Sequence, residues 1–261
     1  MGHSDTSQPP IELDRLNFER DGFLIVRGLL DAETCARVDK LVDDSLSPAI
    51  APLEFEADVH YPGAPSGKHA RGGYTPRRLL HAYTRDSLFR DLSRHPQVVG
   101  RLQVLMGNQR ILLSQNHHNC VMTKHPGFSS LTSWHQDVRY WSFDRPELVS
   151  VWFALGREYR ENGSLQFIPG SHLLELERGR LDAALFLRTD LPENRELIDQ
   201  ALSANLEQGD VVFFHCRTFH AAGRNETGEV KKSLVFTYHT EDNKPIPHTR
   251  SDNYEDILVS V

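Results

Sequence analysis

The chain has 261 residues, 39% hydrophobic and 25% charged, a composition that supports one compact domain with a sizeable core. Lys and Arg number 29 against 36 Asp and Glu, giving a net charge of −7, and no basic run is long enough to neutralise a phosphate backbone, so neither nucleic acid nor an anionic membrane is expected as a partner. No stretch approaches the roughly 18 consecutive apolar residues of a membrane span, and the start is polar rather than basic and then apolar, so a cytoplasmic protein is expected.

Residues 1–10, MGHSDTSQPP, are too polar and proline-rich to bury much and read as a disordered lead, with a single folded domain over 11–261. Gly22-Phe-Leu-Ile-Val-Arg-Gly28 is a β-branched run between glycines and predicts a strand. Asp31 then caps a helix whose apolar residues are Cys35, Val38, Leu41 and Val42. Residues 52–76 turn to Pro, Gly, His and charge over a length too great for a routine connection, and read as a lid or binding loop. Helical spacing returns at 88–92 and 97–106, stopping at Gly107.

Beyond Gly107 the chain becomes short β-rich runs between turn residues: 110–115, 118–124, 148–155, 164–168, 210–215 and 232–239. Six such runs predict a sandwich or barrel. Residues 192–206 interrupt them with helical spacing at Leu197, Ile198, Ala201 and Leu202, expected to lie outside the sheets. The fold class is α+β, mainly β. Cys35, Cys120 and Cys216 are far apart and lack C-x-x-C spacing, which indicates neither a disulfide framework nor a thiolate zinc site.

Fourteen histidines stand out. In Trp134-His135-Gln136-Asp137, side chains alternate along an extended chain, so His135 and Asp137 point to one face. A second imidazole from a distant strand would complete two histidines and a carboxylate, a set that leaves three positions of an octahedral Fe(II) open. Downstream, Gly209-Asp-Val-Val-Phe-Phe-His-Cys-Arg-Thr-Phe-His220 offers both His215 and His220, and parity does not choose between them. Lys231 and Ser233 share a face at the start of the last long strand and suit an anionic carboxylate.

Together these pieces resemble the phytanoyl-CoA dioxygenase family of Fe(II)- and 2-oxoglutarate-dependent oxygenases, from Phe18 to Tyr238. The resemblance includes Phe18-Glu-Arg-Asp-Gly-Phe-Leu-Ile-Val-Arg-Gly-Leu-Leu30, the Trp134-His-Gln-Asp137 motif with Tyr140-Trp141, and Val149-Ser-Val-Trp-Phe-Ala-Leu155. It continues through Asn162-Gly-Ser-Leu-Gln-Phe-Ile-Pro-Gly-Ser-His172 and Gly209-Asp-Val-Val-Phe-Phe-His215 to His220 and Asn225. It implies a double-stranded β-helix, the jelly-roll or cupin-like core, with flanking helices. His135, Asp137 and His220 would bind Fe(II), with 2-oxoglutarate and dioxygen as cosubstrates and a small molecule as substrate. His220 is favoured over His215 because the family ligand precedes small residues and a glycine, here Ala221-Ala222-Gly223. The family arginine that grips the cosubstrate's far carboxylate is Lys231 here, which keeps the charge but not the fork. Arg224 is an alternative grip, and Ser233, Gln136 and Trp152 fall on positions that line the cosubstrate pocket. Ala222 lacks the hydroxyl that some members have. The carboxylate of Asp137 implies hydroxylation rather than halogenation.

Two rivals remain at this level: a zinc hydrolase using the same ligands, and a metal-binding jelly roll without turnover. Lys68, His69, Arg71, Arg77, Arg78, Lys124 and His125 fall in segments that border the active-site mouth in this family. They predict a polar or anionic substrate, with Arg78 or Lys124 available for 2-oxoglutarate instead.

Overall fold

The computed structural model describes residues 11–260; the lead at 1–10 lies outside the described residues. Helix α1 (Ile11–Asp21) precedes strand β1 (Phe23–Val26) and helix α2 (Ala32–Leu46), where the Asp31 carboxylate accepts the Thr34 N–H at 2.7 Å, as the capping signal predicts. Strands β2 (Leu53–Phe55) and β3 (Pro76–Leu80) frame the turns of the 52–76 segment. Helices α3 (Ala82–Arg85), α4 (Ser87–Ser93) and α5 (Pro96–Met106) follow, and α5 stops at Gly107 in the left-handed conformation, φ 62°.

The rest is mostly strand: β4 (Ile111–Lys124), β5 (Thr132–His135), β6 (Val149–Ala154), β7 (Leu165–Phe167), helix α6 (Pro192–Ile198), β8 (Leu202–Ser203), β9 (Val211–His215), β10 (His220–Ala222), β11 (Lys231–Thr240) and β12 (Ile257–Leu258). All pairings are antiparallel. The larger sheet runs β1-β9-β6-β11-β4-β3-β2 with β12 beside β4, and the smaller runs β5-β10-β7-β8. From β4 to β11 the chain passes repeatedly from one sheet to the other. The protein is mixed α/β, with antiparallel sheet predominating.

Strand periodicity divides the side chains of the larger sheet between two cores. Val149, Val151 and Phe153 of β6, Val211 and Phe213 of β9, and Leu234, Phe236 and Tyr238 of β11 pack with Val38 and Val42 of α2 and Val98 and Leu102 of α5. The intervening Trp152, Val212, Phe214 and Val235 face Leu165, Phe167 and Ala222 of the smaller sheet. Strands covered on both faces are mostly apolar, which is why β6 and β9 read as nearly continuous hydrophobic runs.

Three expectations change. The runs 110–115 and 118–124 are one strand, interrupted where Phe236 pairs with Asn119 while Thr237 pairs with Ser114, so residues 115–118 bulge from the ladder with β11. The 192–206 helix ends at Ile198, and Ser203 pairs with Gln166 at the edge of the smaller sheet; Leu197, Ile198 and Ala201 instead pack around Phe219. Strands β5 and β10 are not among the six runs, being only three or four residues long.

Gly163 holds φ +80° where a Cβ would sit 2.6 Å from the Gly223 carbonyl oxygen and 2.7 Å from Lys124 Cδ. Gly163→Ala is expected to lower stability by about 2 kcal/mol, from left-handed backbone strain and the backbone clash together, read as a lower midpoint in urea unfolding.

Candidate metal centre and its cavity

His135 ends β5 directly opposite His220, which opens β10, and the two rings lie 4.3 Å apart between centroids. Gln136 stays extended (φ −109°, ψ 137°), which returns the Asp137 side chain to the face of His135 before the chain turns into a single 3₁₀ turn. Asp137 Oδ1 is then 3.7 Å from Nε2 of His135 and 3.7 Å from Nε2 of His220. One donor atom from each of the three buried residues lies within 4.8 Å of the others.

The ring orientations are set from behind. His135 Nδ1 donates to the Ser133 carbonyl at 2.8 Å and His220 Nδ1 to the Thr218 carbonyl at 3.0 Å. A carbonyl only accepts, so each proton sits on Nδ1 and each Nε2 is left to bind a cation. Burial pulls the His220 pKa down to about 4, helped by neighbouring His135, so this ring is neutral near pH 7. For Asp137 burial acts upward, but His118, His220 and His135 around it prevail and hold the carboxyl well below the usual carboxylate range. Its second oxygen, Oδ2, faces the Ser150 hydroxyl at 3.4 Å and His118 Nδ1 at 3.6 Å. Two imidazole nitrogens and one carboxylate oxygen, already turned toward one point, fit Fe(II) with open positions.

Two cavities meet at these residues. An inner one of about 70 Å³ has apolar walls from Met122, Leu165, Phe214 and Ala222 and reaches Lys124, Trp152 and Lys231. An outer one of about 200 Å³ is bounded by Tyr61, Tyr140, Trp141 and His117, with Arg77 and Arg78 shared between the two. Tyr61 comes from the 52–76 segment and its hydroxyl bonds that of Tyr140 at 2.9 Å, so that segment does form part of the cavity wall.

Lys231 Nζ lies 3.1 Å from Glu158 Oε2, 3.1 Å from Ser233 Oγ and 4.9 Å above the Trp152 ring. Ser233 donates to Glu158 Oε1 at 2.7 Å, and Trp152 Nε1 donates to the same oxygen at 3.0 Å. Three of the expected cosubstrate residues therefore converge, but on Glu158, a residue the sequence reading passed over. Gln136 turns away and donates to the Arg217 carbonyl, outside both cavity linings. Arg224 donates to the carbonyls of Ser129 (3.2 Å) and Gly127 (3.4 Å) and lines neither cavity. His215 accepts from the Arg217 N–H at 3.1 Å, packs beside His172 and stays outside the metal cluster.

Lys124 is placed differently. Its ammonium donates to the carbonyls of Ser130 (2.8 Å) and Gly223 (2.6 Å), and among the described residues it has no acidic partner within 4.0 Å. Burial, reinforced by the charge of Lys231, lowers its pKa to about 7. Of the expected mouth cations, Arg77 and Arg78 line both cavities and share Glu54 Oε1 at 2.6 and 3.4 Å. Lys68, His69, Arg71 and His125 line neither; Lys68 pairs with Asp58 at 3.1 Å and Arg71 sits over Phe128.

The family model for phytanoyl-CoA dioxygenase (PhyH) matches residues 18–233. A probable phytanoyl-CoA dioxygenase of Caenorhabditis elegans is 24% identical over 86% of this chain and 74% of its own length. An ectoine dioxygenase of Streptomyces avermitilis is 25% identical over 94% and 84%. Among solved structures, EctD from S. alaskensis with 2-oxoglutarate and 5-hydroxyectoine superposes with a TM-score of 0.77 at 18% identity, covering 99% of this chain and 90% of that one. The epimerase SnoN in complex with Fe3+, alpha ketoglutarate and nogalamycin RO gives 0.72 at 23%, covering 91% and 86%. With the family model matched over most of its length, the chain belongs to the phytanoyl-CoA dioxygenase family of Fe(II)- and 2-oxoglutarate-dependent oxygenases.

Proposed function

We propose that this dioxygenase hydroxylates a C–H bond of a small polar or anionic substrate, with His135, Asp137 and His220 holding its iron. The observation that carries the reading is the convergence of two Nε2 atoms and one carboxylate oxygen at the meeting point of two cavities. Residues 11–261 form one oxygenase domain on a double-stranded β-helix. This is supported by the order β9-β6-β11-β4 in one sheet and β5-β10-β7-β8 in the other, with the chain alternating between them. A cytoplasmic location fits the three free, buried cysteines.

When bound, iron with 2-oxoglutarate and dioxygen supplies oxidative decarboxylation to succinate and CO2 coupled to hydroxylation of substrate. The protein's part is placement. The backbone carbonyls of Ser133 and Thr218 keep both imidazoles in the metal-binding tautomer, and Ser150 with His118 steadies the second oxygen of Asp137. Met122, Leu165 and Phe214 keep the inner cavity apolar, so an anion entering it is drawn to the lysines at its end. Lys231 is already paired with Glu158, which leaves Lys124, without an acidic partner within 4.0 Å among the described residues, as the better grip for the cosubstrate's far carboxylate. Arg77 and Arg78 at the junction with the outer cavity favour an anionic substrate group, and Tyr61, Tyr140 and Trp141 enclose its body.

Iron content is the first test: the wild type is expected to bind one Fe(II) per chain, His220→Ala to lose it and His215→Ala to keep it, while the opposite pattern would overturn the ligand assignment. Succinate production in the iron-loaded protein separates this reading from a metal-binding jelly roll without turnover and from a zinc hydrolase.

The affinity for 2-oxoglutarate is expected to fall as pH rises from 7 toward 9. With the Lys124 pKa lowered to about 7, the unliganded side chain loses its proton over that range, whereas the carboxylate-bound state requires the ammonium. Lys124→Met should flatten this slope and weaken binding at pH 7 by about 1.5 to 3 kcal/mol, measured by anaerobic calorimetry.

Substrate charge is tested with matched panels of anionic and neutral compounds that stimulate 2-oxoglutarate decarboxylation. Stimulation by anions is expected to fall by about one to two decades in Arg78→Ala. Stimulation confined to uncharged compounds and indifferent to Arg78 would remove the anionic class.

A further inference from the structure

Behind the wall of the inner cavity, Lys231 and Trp152, which line it, join Glu158 and Ser233 in a set of four polar side chains that is complete before any ligand enters. Side-chain exposure is 0% for Glu158 and 3% for Lys231. Glu158 Oε2 takes the ammonium at 3.1 Å, while Oε1 accepts both Ser233 Oγ and Trp152 Nε1. The backbone of Glu158 is fixed too: its N–H donates to the Leu206 carbonyl and its carbonyl accepts the Leu206 N–H, both at 2.8 Å. A carboxylate tied at both oxygens and on its main chain stays in place when a ligand arrives. The lysine, the hydroxyl and the indole, each suited to a dicarboxylate, are thereby already used by an anion that belongs to the chain.

We propose that Glu158 is an affinity- and specificity-determining residue, an internal carboxylate that competes with the far carboxylate of 2-oxoglutarate for Lys231. This rests on the functional reading above and deepens it. The buried Lys231–Glu158 pair presents no net charge to the cavity, and a second carboxylate beside it meets the Glu158 charge in a poorly screened environment. The far carboxylate is thus left to Lys124, and selection for a diacid over a 2-oxo acid with an uncharged tail is weaker than an unpaired Lys231 would give. Neutralising Glu158 frees the ammonium and tightens 2-oxoglutarate. Mere structural damage would loosen it, so the direction of the change separates the two.

The experiment is anaerobic calorimetry of Mn(II)-loaded full-length protein with 2-oxoglutarate and, as a tail without charge, 2-oxovalerate. Glu158→Gln is expected to bind 2-oxoglutarate about tenfold tighter or more, with 2-oxovalerate changed less than about threefold. If that variant folds poorly, Glu158→Gln combined with Lys231→Met removes the pair as a unit and is expected to keep 2-oxoglutarate within about threefold of wild type. Unchanged or weaker 2-oxoglutarate binding in the single variant, or a loss of about tenfold in the double variant, overturns the proposal. Should Mn(II) bind while neither wild type nor variant takes up 2-oxoglutarate, the functional reading itself fails, and this inference with it; wild-type uptake without tightening in the variant defeats the inference alone.

Discussion

The pairing of β5 with β10 is the constraint on which the site depends. It sets His135 across from His220 with the rings 4.3 Å apart, and it does so through backbone register rather than through any attraction between two imidazoles. Asp137 is held ionised by His118, His220 and His135 together, and the proton positions of the His135 and His220 rings are dictated by the carbonyls of Ser133 and Thr218. The strands supply position, the turn residues behind them supply orientation, and the carboxylate supplies the charge that makes a divalent cation welcome.

The two-layer architecture explains how so polar a centre coexists with a large core. Period-two alternation sends one set of side chains from β6, β9 and β11 into the helix-covered core and the other toward the smaller sheet. Along β6 the second set reads Ser150, Trp152 and Ala154: the hydroxyl at Asp137, the indole at Glu158 and a small residue beyond. Along β11 it opens with Lys231 and Ser233 at the cavity end, and Thr237 reaches Ser150 further along. A functional gradient is thus written along each strand, while the opposite face carries Val149, Val151 and Phe153 of β6 and Leu234, Phe236 and Tyr238 of β11 into the helix-covered core.

Charge is distributed by the same rule. In a chain of net charge −7, Arg77 and Arg78 share Glu54, and Lys231 is matched by Glu158, because burial makes an uncompensated charge expensive. Lys124 departs from that pattern: its ammonium donates to carbonyl oxygens, it has no acidic partner within 4.0 Å among the described residues, and burial together with the Lys231 charge lowers its pKa to about 7.

What could be read from the sequence was local. The Asp31 cap, the Gly107 stop, the apolar runs of β6, β9 and β11 and the alternation in His135-Gln136-Asp137 depend on neighbours within a few residues, where backbone preference and side-chain period act directly. The resemblance across the chain also pointed to His220, which parity alone left tied with His215, and it is the His220 ring that lies beside His135 and Asp137. The tertiary structure decided the rest, because those features depend on partners far away in the chain. Strands β5 and β10 are too short to declare themselves, and exist through pairing with each other and β7. The bulge at 115–118 that accompanies His118 at Asp137 depends on the register of β11. Lys68 and Arg71 were expected at the mouth from the family resemblance of their segment, yet face Asp58 and Phe128. Glu158 sits in a charged turn that reads as solvated, and it is buried only because Lys231, Ser233 and Trp152 arrive from two other points of the chain to surround it, a convergence that no local pattern encodes.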